Sequence, residues 1–248
     1  MEGFIVDVYE VEDSKVILIL DITDMSKELE EKIDQYIIQI WEGNTDGDIS
    51  YVKKEILKYL GEISEEKKIG AIAEFFIHLY LKMNGYDQYC LFQNLEEDKS
   101  FKKGFDGLYA LDNENWLVES KSTESTDVKH HSKILEAYND LKNKVEGKSL
   151  NNPWKNAYNH ANTRDLFVPQ DILKTLRKLR NEYTENKYHS IGEFNIIPCS
   201  TKFTGEIEEK ETTKNEVKNK IESFEFNKIK AMCINNRVAD LFIQYLRK

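Results

Sequence analysis

The sequence predicts an α/β protein, a mixed sheet flanked by helices, on three observations. From about residue 60 onward, segments with apolar residues three and four apart alternate with short β-branched runs, the pattern of an α/β core. Ahead of them, a β-branched hairpin and one amphipathic helix make a block of their own. It is read as an N-terminal hairpin-helix subdomain over residues 1–60, with the main domain over 61–248. Finally, 248 residues that are 40% hydrophobic and 32% charged can bury a sizeable core, as one large domain with an appendage.

In chain order, "GFIVDVYEVEDSKVILILDI" reads as a hairpin turning at Glu12–Ser14. "KELEEKIDQYIIQIWE" places Leu29, Ile33, Tyr36, Ile37 and Ile40 on one helical face. "GNTDGDIS" reads as a polar linker and a subdomain boundary. It resembles a calcium loop only superficially, since the glutamate of the twelfth position does not fall in place. A helix, apolar nearly all round, runs from a cap at Ser64 to a stop at Asn84-Gly85. The hairpin "KGFDGLYALDNENWLVESKST", Lys103 to Thr123, follows. Helices come next in "SKILEAYNDLKNKV" and "PQDILKTLRKLRNEY", with Pro169 near the start of the second. "GEFNIIPCSTKF" is a strand, "KNEVKNKIESF" a helix, "NKIKAMCIN" a strand and "RVADLFIQYLRK" a closing helix.

Composition narrows the function. No apolar run approaches the roughly 20 residues that span a bilayer, and the acidic start lacks the positive end of a signal peptide. The expected compartment is therefore the cytoplasm. Cys90, Cys199 and Cys233 form no CxxC pair and are odd in number, so they read as reduced thiols rather than a disulfide or zinc framework. A net charge of −10 argues against a protein that simply coats nucleic acid. Residues 121–180 are nonetheless net basic, and "KTLRKLR" within them concentrates Lys174, Arg177, Lys178 and Arg180. That cluster is either a solvated helix face or a phosphate-contacting surface.

The hairpin raises the sharpest question, because it carries two carboxylates and a lysine where a core is expected. Alternate strand residues share a face, so Glu119 and Lys121 project together with Leu117. With the turn centred near Asn113–Glu114, Asp106 lies across from Lys121 and diagonal to Glu119. Carboxylates held close repel, and burial raises the cost of charging them. A divalent cation such as Mg²⁺ offsets both. Gly104 and Gly107, lacking Cβ atoms, would let backbone or phosphate approach. Glu74, in the nearly charge-free "IGAIAEFFIHLYL", is a fourth acidic group in want of a partner.

Glu on a helix in "GAIAE", then "GFDG" opening a strand, then "ESK" on the next, resembles the PD-(D/E)xK nuclease superfamily over residues 64–123. The leading proline of that pattern is replaced by Phe105. More narrowly, "KGFDGLYAL…NWLVESK" resembles the HamA nuclease subunits of Hachiman-type bacterial antiphage systems. The resemblance implies a restriction-endonuclease-like core and Mg²⁺- or Mn²⁺-dependent hydrolysis of DNA. It also implies a helicase partner of the HamB kind. Asp106, Glu119, Lys121 and Glu74 would be catalytic. Glu74, Asp106, Glu119 and the carbonyl of Ser120 would ligate metal, and Lys121 would position water or neutralise the transition state.

Lesser candidates accompany these. His78, one turn after Glu74, lines the pocket or, as the default, is a satisfied core or surface histidine. His130-His131 touches phosphate or metal, or simply opens a helix in solvent. Tyr138 and Lys142 lie further along that helix, where substrate contacts are common if their face looks toward the site, and the sequence does not fix that face. Trp154 and Tyr158 stack on bases or pack in the core. Two other functions stay open: a glycosidase using paired carboxylates, and a non-catalytic nucleic-acid or protein interaction subunit that keeps a nuclease-like fold.

Overall fold

The computed structural model describes residues 3–93, 104–162, 166–205 and 209–248. Lys103, where the expected hairpin begins, lies outside them. The elements run as β1 (Ile5–Glu12), β2 (Lys15–Ile22), α1 (Lys27–Glu42), α2 (Ile49–Glu62), α3 (Glu65–Met83), β3 (Asp87–Gln88), β4 (Gly107–Leu111) and β5 (Glu114–Thr123). They continue as α4 (His130–Val145), α5 (Pro153–Ala161), α6 (Gln170–Thr184), a short 3-10 turn (Ile191–Glu193), β6 (Asn195–Lys202), α7 (Lys210–Ile221), β7 (Lys228–Asn236) and α8 (Ala239–Leu246).

Among the described residues the strands form one mixed sheet in the order β1-β2-β7-β6-β5-β4-β3. The β2–β7, β7–β6 and β6–β5 pairs are parallel; the outer pairs are antiparallel. The central strands are apolar on both faces because helices cover both. In β2, Leu18, Leu20 and Ile22 enter one core with the buried faces of α1, α2, α3 and α8. Ile17 and Ile19 enter the other, with α4, α5, α6 and α7. The α/β architecture is thus as the sequence predicts.

Two differences have local causes. The segment 1–60, expected to stand apart, is continuous with the rest: β2 hydrogen-bonds along its length to β7, and α1 packs on α3. Moreover, the linker expected at residues 43–50 leads straight into α2, a helix that the sequence reading does not anticipate. Its Asp48 caps that helix, accepting the Tyr51 N–H at 2.7 Å. Val52, Ile56 and Leu60 form its buried stripe.

The central hairpin turns one residue earlier than expected. Asp112 (φ 51°) and Asn113 (φ 64°) take the left-handed conformation that a two-residue turn requires, and Asn and Asp tolerate it best. Leu111 therefore pairs with Glu114 and Gly107 with Val118. A turn shifted by one residue moves the cross-strand register by two. Continuing the observed ladder sets Asp106 beside Glu119 and not across from Lys121.

Candidate active site

Glu119 and Lys121 lie near the C-terminal end of β5, a central strand, on the face covered by α4. Asp106 sits just before β4, and its Oδ2 accepts the backbone N–H of Ser120 at 2.7 Å. That bond ties the start of one strand to the functional end of the next. The three hairpin residues singled out by sequence therefore converge.

Glu119 is 2% exposed. A carboxylate that deep needs cations or a proton, and two ammonium groups reach it. Lys144 Nζ stands 2.5 Å from Oε2, and Lys121 Nζ 3.4 Å from Oε1. Lys121 is shared with Asp140, whose Oδ2 is 2.5 Å away. Burial, then the negative charge of Asp106, push the Glu119 carboxyl up to about 7, against the pull of Lys144 and Lys121. Burial pulls Lys121 down, but Glu119, Asp140 and Asp106 outweigh it and the net direction is up. Burial opposes the charge on Lys144 as well, yet Glu119 and Asp106 hold that lysine above its ordinary value. Both lysines are thus firmly cationic, while Glu119 is balanced near neutrality. The cluster grades from buried Glu119 through half-buried Lys121 to exposed Asp140, so it opens toward solvent on the α4 side.

Lys144 and Asp140 were not among the sequence-based candidates. They are four apart on α4 and share one face. Tyr138 and Lys142, the pair considered from sequence, are each two residues away and so about 200° round the helix. They face α7 and the loop after it: Tyr138 stacks on Phe224 with centroids 3.8 Å apart, and Lys142 pairs with Glu225 at 2.8 Å. Ile134, Ala137, Tyr138, Leu141 and Val145 are the buried stripe of α4; Asp140 and Lys144 flank it on one side and Lys142 on the other, so periodicity alone does not choose between the two sides.

Glu74 is half-buried on α3, in the helical layer over the opposite face of the sheet from α4. Among the described residues, no three His, Cys, Asp or Glu side chains are gathered so as to hold a metal ion. The expected set of Glu74, Asp106 and Glu119 is therefore not closed as a cage. The reason is strand alternation: Glu119 looks to α4, while Ser120 and Val118 look to the α3 side. What remains suits Mg²⁺ chemically. Asp106 and Glu119 are adjacent hard-oxygen donors, Ser120 lies between strands at the same level, and this ion retains water and substrate oxygens for its other positions.

The glycines of "GFDG" serve packing and not phosphate approach. A Cβ on Gly104 would meet Asn156 Oδ1 at 2.4 Å, and one on Gly107 would meet the Tyr109 ring at 2.8 Å. Asn156 belongs to α5, which also presses Trp154 against Phe105, centroids 4.9 Å apart. Trp154 is thus a core residue. Tyr158 of the same helix meets the basic face of α6: Arg177 Nη2 donates to its hydroxyl at 2.8 Å, and the Arg180 guanidinium lies 4.7 Å from its ring centroid. Lys178 pairs with Glu182 at 3.7 Å, and Lys174 is exposed. The four expected substrate-binding cations share one helix, buttressed through α5 against the segment that carries Asp106.

The histidines fall into the interior. His78 is buried against Tyr109, whose hydroxyl pairs with its Nδ1, and is a core residue. His130, expected in solvent, is 1% exposed. Its Nδ1 meets Ser200 Oγ at 2.8 Å and its Nε2 meets Asn235 Oδ1 at 3.1 Å. Asn235 donates to Asp21 at 2.7 Å, and Asp21 pairs with Lys210 at 2.9 Å. This polar chain ties the first turn of α4 to β6, β7 and β2. His131 stays half-buried at the surface beside Glu216, 3.1 Å away. All three cysteines are buried free thiols. Among the described residues no helix is long and apolar enough to cross a membrane.

No protein-family model matches this sequence, and no curated protein matches it.

Proposed function

We propose that this chain is a divalent-metal-dependent nuclease with a PD-(D/E)xK, restriction-endonuclease-like core that hydrolyses phosphodiester bonds of DNA. The observation that carries the reading is the meeting of Asp106, Glu119 and Lys121 at one hairpin end, where half-buried Lys121 leads from Glu119 to Asp140 at the surface. A glycosidase fits less well, because Lys121 and Lys144 occupy the space at the Glu119 carboxyl that a sugar ring and its leaving group would need.

Asp106 and Glu119 would hold Mg²⁺ or Mn²⁺, with the Ser120 carbonyl as a further oxygen. When bound, the ion acidifies water and stabilises charge on the phosphate. Lys121, held cationic, cannot serve as the base; it orients the attacking water and donates to the phosphate oxygens. Water oxygen adds to phosphorus, its proton passing to bulk solvent, and the ester P–O bond breaks. The leaving oxygen takes up a proton, giving one phosphomonoester and one hydroxyl end. Lys174, Arg177, Lys178 and Arg180 would track the phosphate backbone. The overall acidity makes a strand-delivering partner part of the proposal: a HamB-like helicase, within an antiphage system of the cytoplasm.

The test is cleavage of plasmid and of single-stranded DNA, with Mg²⁺ or with chelator, alone and with any protein encoded beside this chain. Metal-dependent cleavage lost in Glu119→Ala supports the proposal. A wild-type chain inert under all these conditions leaves the interaction-subunit reading in its place.

A further inference from the structure

Lys144 stands outside the motif, 25 residues beyond Glu119, yet its ammonium group lies closer to that carboxylate than the one from Lys121 does. Its side chain is 18% exposed and packs between α4 and β5. The helix that carries it cannot readily shift, since His130 pins its first turn to two strands and Ile134, Ala137 and Leu141 bury its length. A lysine side chain, by contrast, has four rotatable bonds and moves at little cost.

Resting on the nuclease reading, we propose that Lys144 is a built-in counter-ion of the metal site. It holds the Glu119 carboxylate in the metal-free chain and must yield Oε2 before a divalent cation can bind, so it sets the affinity for the metal. Lys121 differs: it is anchored by Asp140 and reaches the other oxygen at 3.4 Å, so it can stay in place when metal binds. The exchange is a substitution of charge. One ammonium leaves a buried carboxylate pair and a doubly charged ion enters, which overcompensates the repulsion between Asp106 and Glu119 that one lysine only offsets.

The inference predicts an unusual sign. Replacing a residue at a metal site ordinarily weakens binding, but removing Lys144 removes a competitor. Repulsion between an ammonium and a divalent ion a few ångströms apart outweighs the entropy of leaving one carboxylate less ordered.

Mn²⁺ binding, followed by electron paramagnetic resonance without DNA, tests this in the full chain. Lys144→Met and Lys144→Gln should bind Mn²⁺ about tenfold more tightly than wild type. Lys144→Arg, which keeps the charge, should stay within about twofold. Circular dichroism identifies any variant that has lost its fold, and the glutamine variant, which retains a donor for Glu119, stands in if the methionine variant has. Unchanged or weaker binding in the folded neutral variant overturns the role of Lys144. If Glu119→Ala abolishes binding in the same series, the metal site itself survives that result. If wild type binds no Mn²⁺, both the site and the role of Lys144 fall.

Discussion

At the scale of residues, Glu119 dominates. It is buried, flanked by Asp106, and matched by two lysines, so each change there has a signed consequence. Lys121→Ala should lower cleavage by at least about a hundredfold with little change in melting temperature; wild-type-like cleavage would remove Lys121 from the chemistry. Metal-free stability offers a second measurement. The Glu119 carboxyl sits near 7 in the folded chain, against an ordinary value near 4.5. The folded state therefore keeps a proton that the unfolded state has released across that interval. Its contribution to stability is complete below the lower value and is lost as pH rises through the upper one. Glu119→Gln, which mimics the protonated group, should match wild type near pH 5 and melt higher near pH 8 by on the order of 5 °C. Thermal scans in chelator at the two pH values check this, and equal melting at both would refute the burial cost.

Among elements, α4 and the hairpin matter most. The helix delivers Asp140 and Lys144 to the site with its first turn locked by His130 and its length held by Ile134, Ala137 and Leu141. His130→Ala leaves Ser200 and Asn235 without their buried partner and should cost about 2 kcal/mol or more, measured by denaturant unfolding. It should also loosen the site without touching it. The "GFDG" segment is held just as tightly by α5. Gly104→Ala drives a Cβ into Asn156, and overpacking of this kind typically costs about 1–3 kcal/mol. An unfolding midpoint unchanged from wild type would show that Asn156 gives way freely. The hairpin register, set by Asp112 and Asn113 at positive φ, decides which side chain Asp106 meets. It was the least legible feature of the site, because the tetrapeptide Asp112-Asn113-Glu114-Asn115 offers polar turn residues at more than one position.

On the scale of the whole molecule, an acidic protein carries four basic side chains close together on α6. DNA binding by the isolated chain should therefore be weak and steeply salt-dependent. Arg177→Ala together with Arg180→Ala should flatten the slope of log affinity against log salt by about one for each phosphate no longer neutralised. An unaltered slope would return α6 to the solvent-facing role that its Lys178–Glu182 and Arg–Tyr158 pairings equally allow. The continuity of β2 with β7 bears on the same scale: residues 1–60 complete the sheet and core, so removing them should unfold the chain and not merely trim it.

The sequence by itself determined the α/β class, nearly every long helix and strand, and the convergence of Asp106, Glu119 and Lys121. These follow from local periodicity, alternation along a strand and the reach of one hairpin. The helices α2 and α5 escaped, although Val52, Ile56 and Leu60 carry the α2 stripe at intervals of four and Pro153 opens α5. What the tertiary structure decided was everything that depends on which face meets which. It put Lys144 and Asp140 at the site in place of Tyr138 and Lys142, took His130 into the interior, gave the glycines to packing, and left Glu74 in the layer over the other side of the sheet. A helix's rotation about its axis and a strand's neighbours are fixed by packing between segments far apart in the chain, and no local pattern encodes them.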